Sequence, residues 1–382
     1  MIGQRGVPAS FGGVERHVEE LGARLAERGH EVVVFCRHGY SDDEPTTYRG
    51  MELVHVRTVD SKHLESIVAS ATSTLGTIGG GFDIVHFHAV GPGLFSPFAR
   101  LLTQARVVQT IHGLDGERAK WGRLASVLLR FGTWLSARVP DATIAVSKAL
   151  QDAYRERYRR ETVYIANGTP EAEPREARGI TERWGLTNGS YVLAVGRLVP
   201  EKAPEHLLAA FADVPGDVRL VLAGGSSHTD EYVADLEARA AADPRVIMAG
   251  YVYGTELEEL YSNAAVFVLP SLLEGLPLTL LEASSYGCPI VASDIPPHLE
   301  VIGASGPGAR LFPAGDIHQL TKAITETLQA PPEEERAGAD ALSERVRTTY
   351  SWDTAAAETD ALYRQVRSRR SIFPLVRRRT RR

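Results

Sequence analysis

The sequence predicts an α/β fold: two Rossmann-like parallel-sheet domains that face each other across a cleft. Three observations predict it. The chain has 382 residues, more than one hydrophobic core usually organises. Short apolar runs alternate with helix-length amphipathic segments, first from residue 31 to 168 and again from 191 to 328. Between these two series lies a segment, 169–188, rich in Pro, Glu and Arg and poor in apolar periodicity.

In the first half, only Met1 and Ile2 precede Gly3, whereas a central parallel strand normally has an apolar run of about five or six residues. Either the start lies upstream or the fold tolerates a stub. GQRGVPASFGG, residues 3–13, is a glycine-rich loop. A helix is expected from Val14 to Arg28, with Val18, Leu21, Leu25 and Ala26 on one side and Gly29 as its stop. Strands are expected at 31–37, 51–57, 83–89, 107–113, 142–147 and 162–168, with helices at 63–76 and 120–135. In the second half, strands are expected at 191–196, 218–225, 246–250, 266–270, 289–294 and 309–313. Helices at 206–211, 230–242, 255–263, 279–285 and 317–328 separate them, and a polar helix follows Pro331 and Pro332. The expected domains are 1–170 and 189–348, joined by a linker at 171–188. A helix at 349–366 crosses back to the first half, and a basic tail occupies 367–382. Parallel sheets of this kind place a functional cleft at the carboxyl ends of their strands.

Composition narrows the class. Hydrophobic residues make up 43% of the chain and charged residues 24%, which excludes a disordered or fibrous protein. Cys36 and Cys288 fall in different halves, so they read as small buried apolar residues and not as a disulfide or a thiolate metal site. The sequence has no basic-then-apolar leader and no apolar run of about 20 residues, so it reads as cytoplasmic. The net charge is −6, yet the tail RSRRSIFPLVRRRTRR holds eight arginines and no acid. Such a tail meets an anionic membrane surface, packs or stays free without a partner, or follows nucleic acid. Ile372, Phe373, Leu375 and Val376 within it favour the membrane, and no nucleic acid partner is expected.

Several residue groups are candidates for chemistry. Gly3, Gly6, Gly12 and Gly13 lie between a strand and a helix, where backbone can approach a ligand or simply turn tightly; their spacing is not the dinucleotide fingerprint. In VGRLVPEK, Arg197 and Lys202 stand just beyond a strand end, either as a diphosphate clamp or as a solvated pair. PSLLEGLPLTLLE, residues 270–282, places Glu274 in a loop and Glu282 inside the next helix. Its helix start at Leu278 and Thr279 is suited to phosphate. A carboxylate in so apolar a stretch needs hydroxyl or amide partners, which a sugar or ribose supplies. His86, His88 and His112 recur at strand ends; His86 reads as a satisfied core residue, whereas His112 suits a site or a core equally. These histidines with Asp115 fit no zinc spacing, so no metal is expected.

The ordered stretches FGGVERHVEELGARLAERGHEVVVFCR, QTIHG, AVSKAL, YIANG, VLAVGRLVPEK, LVLAGG, LPSLLEGLPLTLLEASSYGCPIVASD and ARLFPAGD resemble a family 4 glycosyltransferase of the GT-B fold over nearly the whole chain. The opening is similar to a bacterial branch holding rhamnosyltransferases of polysaccharide assembly. The resemblance implies a retaining enzyme that moves a sugar from a nucleoside-diphosphate sugar to a hydroxyl of a glycan, lipid-linked or small-molecule acceptor. It implies no cofactor beyond that co-substrate and no divalent metal.

By the same resemblance, Gly12 and Gly13 form the loop that meets donor phosphate or acceptor, His112 hydrogen-bonds the donor sugar, and Arg197 and Lys202 hold the diphosphate. Glu274 matches the first glutamate of the EX7E motif, at the transferred sugar, and Glu282 the second, at the ribose. Leu278 and Thr279 contact the pyrophosphate, backbone at Tyr251 and Val252 meets the base, and Asn167 is structural. On the acceptor side, the loops around Phe11, His88, Gly91, Pro92 and Trp121 are apolar enough to accept a ring face or lipid, or equally serve as ordinary loop anchors. The alternative is a non-catalytic nucleotide-sugar-binding or scaffold protein on the same fold.

Overall fold

The computed structural model describes every residue except 11, 60–63, 115–122, 227–228 and 369–382. The expectations placed on Phe11, Asp115, Trp121 and the tail beyond Ser368 lie outside the described residues.

The first half begins with α1 (Gly13–Glu27) and β1 (Val33–Arg37). A short β2 (Thr47–Tyr48) turns back against β3 (Met51–Val56), and α2 (Glu65–Gly76) leads to β4 (Ile84–His88). Then come α3 (Val90–Gly93), α4 (Ser96–Leu102), β5 (Arg106–Ile111), α5 (Arg123–Ser136), β6 (Ala142–Ala145), α6 (Lys148–Tyr158) and β7 (Val163–Tyr164). The strands form two ladders, β1-β3-β2 and β4-β5-β6-β7.

The stub joins them. Ile2 pairs in parallel with Phe87 of β4, donating to His86 O at 2.9 Å and accepting from His88 N at 2.8 Å. On its other side Phe35 N donates to Met1 O at 3.1 Å and the terminal ammonium donates to Val33 O at 2.6 Å. Two residues therefore occupy the position of a first strand, and the sheet runs β2-β3-β1-stub-β4-β5-β6-β7. Its order reverses between the stub and β4, which is the doubly wound switch point.

In the segment expected to be a linker, the structure has α7 (Gly179–Trp184), with Ile180 fully buried. A helix this short leaves no periodic signature, and its start is held by Glu259, which accepts from the amides of Arg178 and Ile180 at 3.0 and 3.1 Å. The second half then alternates: β8 (Tyr191–Val195), α8 (Pro204–Ala212), β9 (Arg219–Ala223), α9 (Asp230–Ala240), β10 (Val246–Gly250), α10 (Gly254–Asn263) and β11 (Val266–Leu269). It continues with α11 (Leu278–Ser285), β12 (Ile290–Ser293), α12 (Pro296–Ile302), β13 (Ala309–Phe312), α13 (Ile317–Gln329) and α14 (Pro332–Thr349). Its six parallel strands are ordered β10-β9-β8-β11-β12-β13, with the switch point between β8 and β11.

Finally α15 (Trp352–Ser368) returns to the first half, where Trp352, Ala356 and Val366 share a core with Val18, Leu21 and Leu25 of α1. Arg24 Nε donates to Asp353 Oδ1 at 2.8 Å at the same junction. A second apolar cluster runs without a break from Ile111, Val146 and Leu150 to Leu276, Leu280 and Tyr350, so the halves share buried surface as well as a chain connection. Cys36 and Cys288 are both buried free thiols, as their apolar reading expects.

Candidate active site

Each switch point delivers loops to the same cleft. After β8 the chain passes Gly196 and Arg197 into a 3-10 turn, Pro200–Lys202. After β11 it passes Ser271 to Pro277 before α11 starts. Leu272 N donates to Glu201 O at 2.9 Å, which ties one loop to the other. Lys202 Nζ then donates to Glu274 Oε1 at 2.8 Å, and Ser271 Oγ donates to the same oxygen at 2.8 Å. The Lys202 and Glu274 side chains are only 16% and 12% exposed. Burial pushes the Glu274 carboxyl up, but Lys202 together with His298 and Ser271 outweighs it and holds the group below the ordinary carboxylate range. Glu274 is therefore a charged, fully oriented acceptor, and the ion pair argues against a free nucleophile.

Glu282, eight positions on, is pushed the opposite way. Desolvation is its largest influence and raises its pKa, against Arg16 and a hydrogen bond from Tyr261 OH to Oε2 at 3.0 Å. Tyr261 is stacked on Tyr286, with ring centroids 5.7 Å apart, so this carboxyl sits on an aromatic wall. Glu282→Gln keeps the shape and removes the cost of an ionised buried group. We expect unchanged or slightly raised stability of the free protein and, if Glu282 accepts from a ribose as the family resemblance implies, nucleotide affinity weakened about tenfold by loss of a charge-assisted acceptor. Thermal melting and nucleotide titration of the one variant check both.

α11 begins after Pro277 with no side-chain cap, and the Thr279 hydroxyl is buried without a hydrogen-bond partner. An uncapped helix start with an orphaned hydroxyl is a ready anion site. Facing it is another uncapped start: α1 follows Gly12, whose φ of 102° suits glycine alone. Gly13 points at Leu278, with 3.6 Å from its would-be Cβ to Leu278 Cδ1. Two helix amino termini thus converge from opposite halves.

His112 lies on the first-half side of this junction. Gly275 rests directly on its carbonyl: a Cβ there would sit 1.9 Å from His112 O. Beneath it, His17 presents its ring edge at a centroid distance of 4.6 Å, and His88 Nδ1 is 3.4 Å from His112 Nε2. His17 Nδ1 pairs with Asn167 Oδ1 at 2.9 Å, and Asn167 Nδ2 donates to Leu276 O at 3.1 Å. This chain of bonds crosses from α1 to the Glu274 loop. Burial drops the His17 pKa to about 4, so the ring is neutral near pH 7, with its proton on Nδ1.

Other expected residues are placed differently. His88 is wholly buried, so it backs His112 and does not line an acceptor loop. His86 is satisfied by Tyr363 OH at 2.6 Å and Thr110 Oγ1 at 2.8 Å, as its core reading expects. Among the described residues, His17, His88 and His112 bring their ring nitrogens within 4.8 Å of one another, a grouping that spacing along the chain does not reveal. The Val252 side chain is in the core, which leaves only its backbone for a ligand. Tyr251 is partly exposed, donates to Ser226 O at 2.7 Å and is stacked with Tyr253; burial raises its pKa against the opposing pull of nearby Arg5 and Arg197. Sequence reasoning missed His17, Arg16, Tyr261 and His298. The first two lie on the exposed-looking start of α1, and the last two give no local signal.

Two doubly wound halves with facing switch points define a GT-B architecture. The sequence comparisons agree. A family model described as "Glycosyltransferase Family 4" matches residues 11–173, and one described as "Glycosyl transferases group 1" matches 180–343. Alpha-maltose-1-phosphate synthase of Mycolicibacterium smegmatis is 28% identical, covering 94% of this chain and 97% of its own. Glycogen synthase of Mycobacterium tuberculosis is 28% identical, covering 93% and 92%. Sucrose-phosphate synthase from Thermosynechococcus elongatus has the same fold, with a TM-score of 0.80 at 23% identity over 94% of this chain and 96% of that one. HepE of Anabaena, solved with UDP and glucose, superposes with a TM-score of 0.77 at 17% identity over 93% and 96%. The chain is a GT-B-fold glycosyltransferase related to the group 1 and family 4 enzymes. It is an enzyme that transfers a sugar from a nucleoside-diphosphate sugar to an acceptor, and enzymes of this kind use that co-substrate without a divalent metal.

Proposed function

We propose that this chain is a retaining hexosyl- or rhamnosyltransferase of polysaccharide or glycoconjugate assembly, acting on a hydroxyl of a glycan, lipid-linked or small-molecule acceptor. The observation that carries the reading is the buried Lys202–Glu274 pair beside the uncapped start of α11. In this reading Arg197, Lys202 and the first amides of α11, with the Thr279 hydroxyl, hold the diphosphate, and Glu274 accepts from hydroxyls of the transferred sugar. Glu282 takes the ribose hydroxyls. His112, backed by His17 and His88, donates to or accepts from the sugar on its other face, and Gly12 and Gly13 bring α1 against donor or acceptor.

Chemistry follows from where charge grows. As the bond from the anomeric carbon to phosphate breaks, the diphosphate gains negative charge, which the two cations and helix amides stabilise in place. The acceptor oxygen bonds to the anomeric carbon on the same face, and its proton passes to the departing phosphate oxygen. Glu274 is already engaged by Lys202 and Ser271, so orientation and not covalent attack is its role. The arginine-rich tail is proposed to hold the enzyme at an anionic membrane surface when the acceptor is lipid-linked.

A binding screen of UDP, dTDP, GDP and ADP with their common sugar conjugates, followed by slow donor hydrolysis, tests this. One conjugate bound well above its peers, and hydrolysed only while Glu274 is intact, is the expected result. No binding by the folded chain overturns the reading.

A further inference from the structure

α5 carries more large apolar residues than the side that packs on the fold can cover. Among its described residues, one side is covered. Leu129, Thr133 and Leu135 are buried and Gly132 lies against Val90 and Leu94, whereas Val127, Phe131 and Trp134 are 64%, 52% and 46% exposed. These three recur at helical spacing on the outer face, and Phe131 stacks on Trp134 with 5.8 Å between centroids. The neighbouring α4 repeats the pattern, with Phe98, Leu101 and Leu102 all more than half exposed. Arg100 of α4 donates to Val139 O just past the end of α5 at 2.8 Å, which sets the two helices side by side. Scattered exposed apolar residues are ordinary, but two adjacent helices that both leave large ones in water form a patch.

The charge around the patch identifies what covers it. In a chain of net charge −6, residues 84–114 and 118–140 contain no Asp or Glu. Arg130 on α5 and Arg138 just past its end are both exposed. An aromatic and aliphatic face with arginines on and beside the same helix, and with the neighbouring Asp141 paired to Arg100 and Arg106 at 3.2 and 3.4 Å, matches a bilayer interface with anionic headgroups. A second copy is a poorer match, because a two-fold contact sets the same patch, and so the same arginines, against itself.

We propose that the exposed face of α4 and α5 docks on an anionic lipid bilayer, with Phe131 and Trp134 entering the headgroup boundary and Arg130 and Arg138 meeting lipid phosphates. α4 and α5 run back toward the amino ends of β5 and β6, so docking here lays the outer flank of the first half on the membrane. The inference deepens the membrane reading given for the tail, and it assigns the contact to the folded first half.

The test uses the full chain, vesicles of phosphatidylcholine with or without phosphatidylglycerol, and two variants. One is Phe131→Ser with Trp134→Ser; the other changes the arginines of 369–382 to serine. Both alter exposed or terminal positions, and nucleotide binding verifies folding. The expected results are flotation of the full chain with anionic vesicles and at least about tenfold weaker partitioning of the α5 variant. Brominated lipid should quench Trp134, with the quenching lost in Trp134→Phe. Unchanged flotation of the α5 variant with loss in the tail variant overturns the face while leaving the tail reading intact. No flotation of any form, with transfer to a water-soluble acceptor retained, overturns both membrane readings and spares the transferase. A concentration-dependent dimer of the full chain, dissolved by the α5 changes in lipid-free buffer and unable to float, assigns the patch to self-association instead.

Discussion

Lys202→Ala is expected to cost about 3–5 kcal/mol of stability and at least about a hundredfold in transfer, and the two losses have separate origins. The stability loss arises because Glu274 remains buried without the cation that offsets its desolvation. In the proposed mechanism the activity loss arises because the growing charge of the leaving diphosphate loses a donor. Combining Lys202→Ala with Glu274→Gln removes the stranded charge, so denaturant unfolding should recover most of the stability while transfer stays low.

The pH dependence of that comparison has a definite sign. In the unaltered protein Glu274 titrates below its ordinary range. Its contribution to stability is therefore complete above the unfolded carboxylate pKa and is lost as pH falls through the lowered folded value. In Lys202→Ala the remaining large influence is desolvation, which raises the pKa, so protonation relieves the variant as pH falls. The stability gap between the two proteins should shrink between pH 7 and pH about 4.5, near the ordinary value for a glutamate. A gap that widens over this interval would show that Lys202 does not hold Glu274 in its charged form.

What could be read in advance divides by range. Strands such as Val266–Leu269 and helices such as Ile317–Gln329 announce themselves through short-range periodicity, and both were expected within a residue or two. Arg197, Lys202, Glu274 and Glu282 stand out because charges sit next to apolar runs, and the fold brings Lys202 onto Glu274. By contrast α3 and α4 lie behind Gly91, Pro92 and Pro97, which read locally as loop. The stub was ambiguous because its bonding comes from β1 and β4, elements that must already be assembled. His17 is the clearest case. On α1 it looks like one polar residue among several, and only the fold carries it to Asn167, 150 positions away, and from there to Leu276. No periodicity encodes such a contact.

That cross-domain link makes Gly275 the position where the smallest change should have a large catalytic effect. In Gly275→Ala the added methyl meets His112 O at 1.9 Å and His112 C at 2.7 Å, both backbone atoms that no rotamer change can move aside. The Glu274 loop must then retreat from His112, and the bond from Asn167 to Leu276 O lengthens with it. Arg197, Lys202 and the start of α11 all belong to the second half and retain their mutual geometry, so nucleotide affinity should fall by no more than about threefold, well under 1 kcal/mol. In the proposed arrangement both halves meet at one sugar, and a displacement of about 1 Å there lowers kcat/KM by roughly a hundredfold. The loosened junction also admits water, so the ratio of donor hydrolysis to transfer should rise. Asn167→Ala cuts the same link from the other side without adding a clash and should move that ratio in the same direction by a smaller factor. Full transfer with an unchanged hydrolysis ratio in Gly275→Ala would mean that the contact between His112 and the Glu274 loop is not part of the reacting arrangement, and that the chemistry occurs in a more open relation of the two halves.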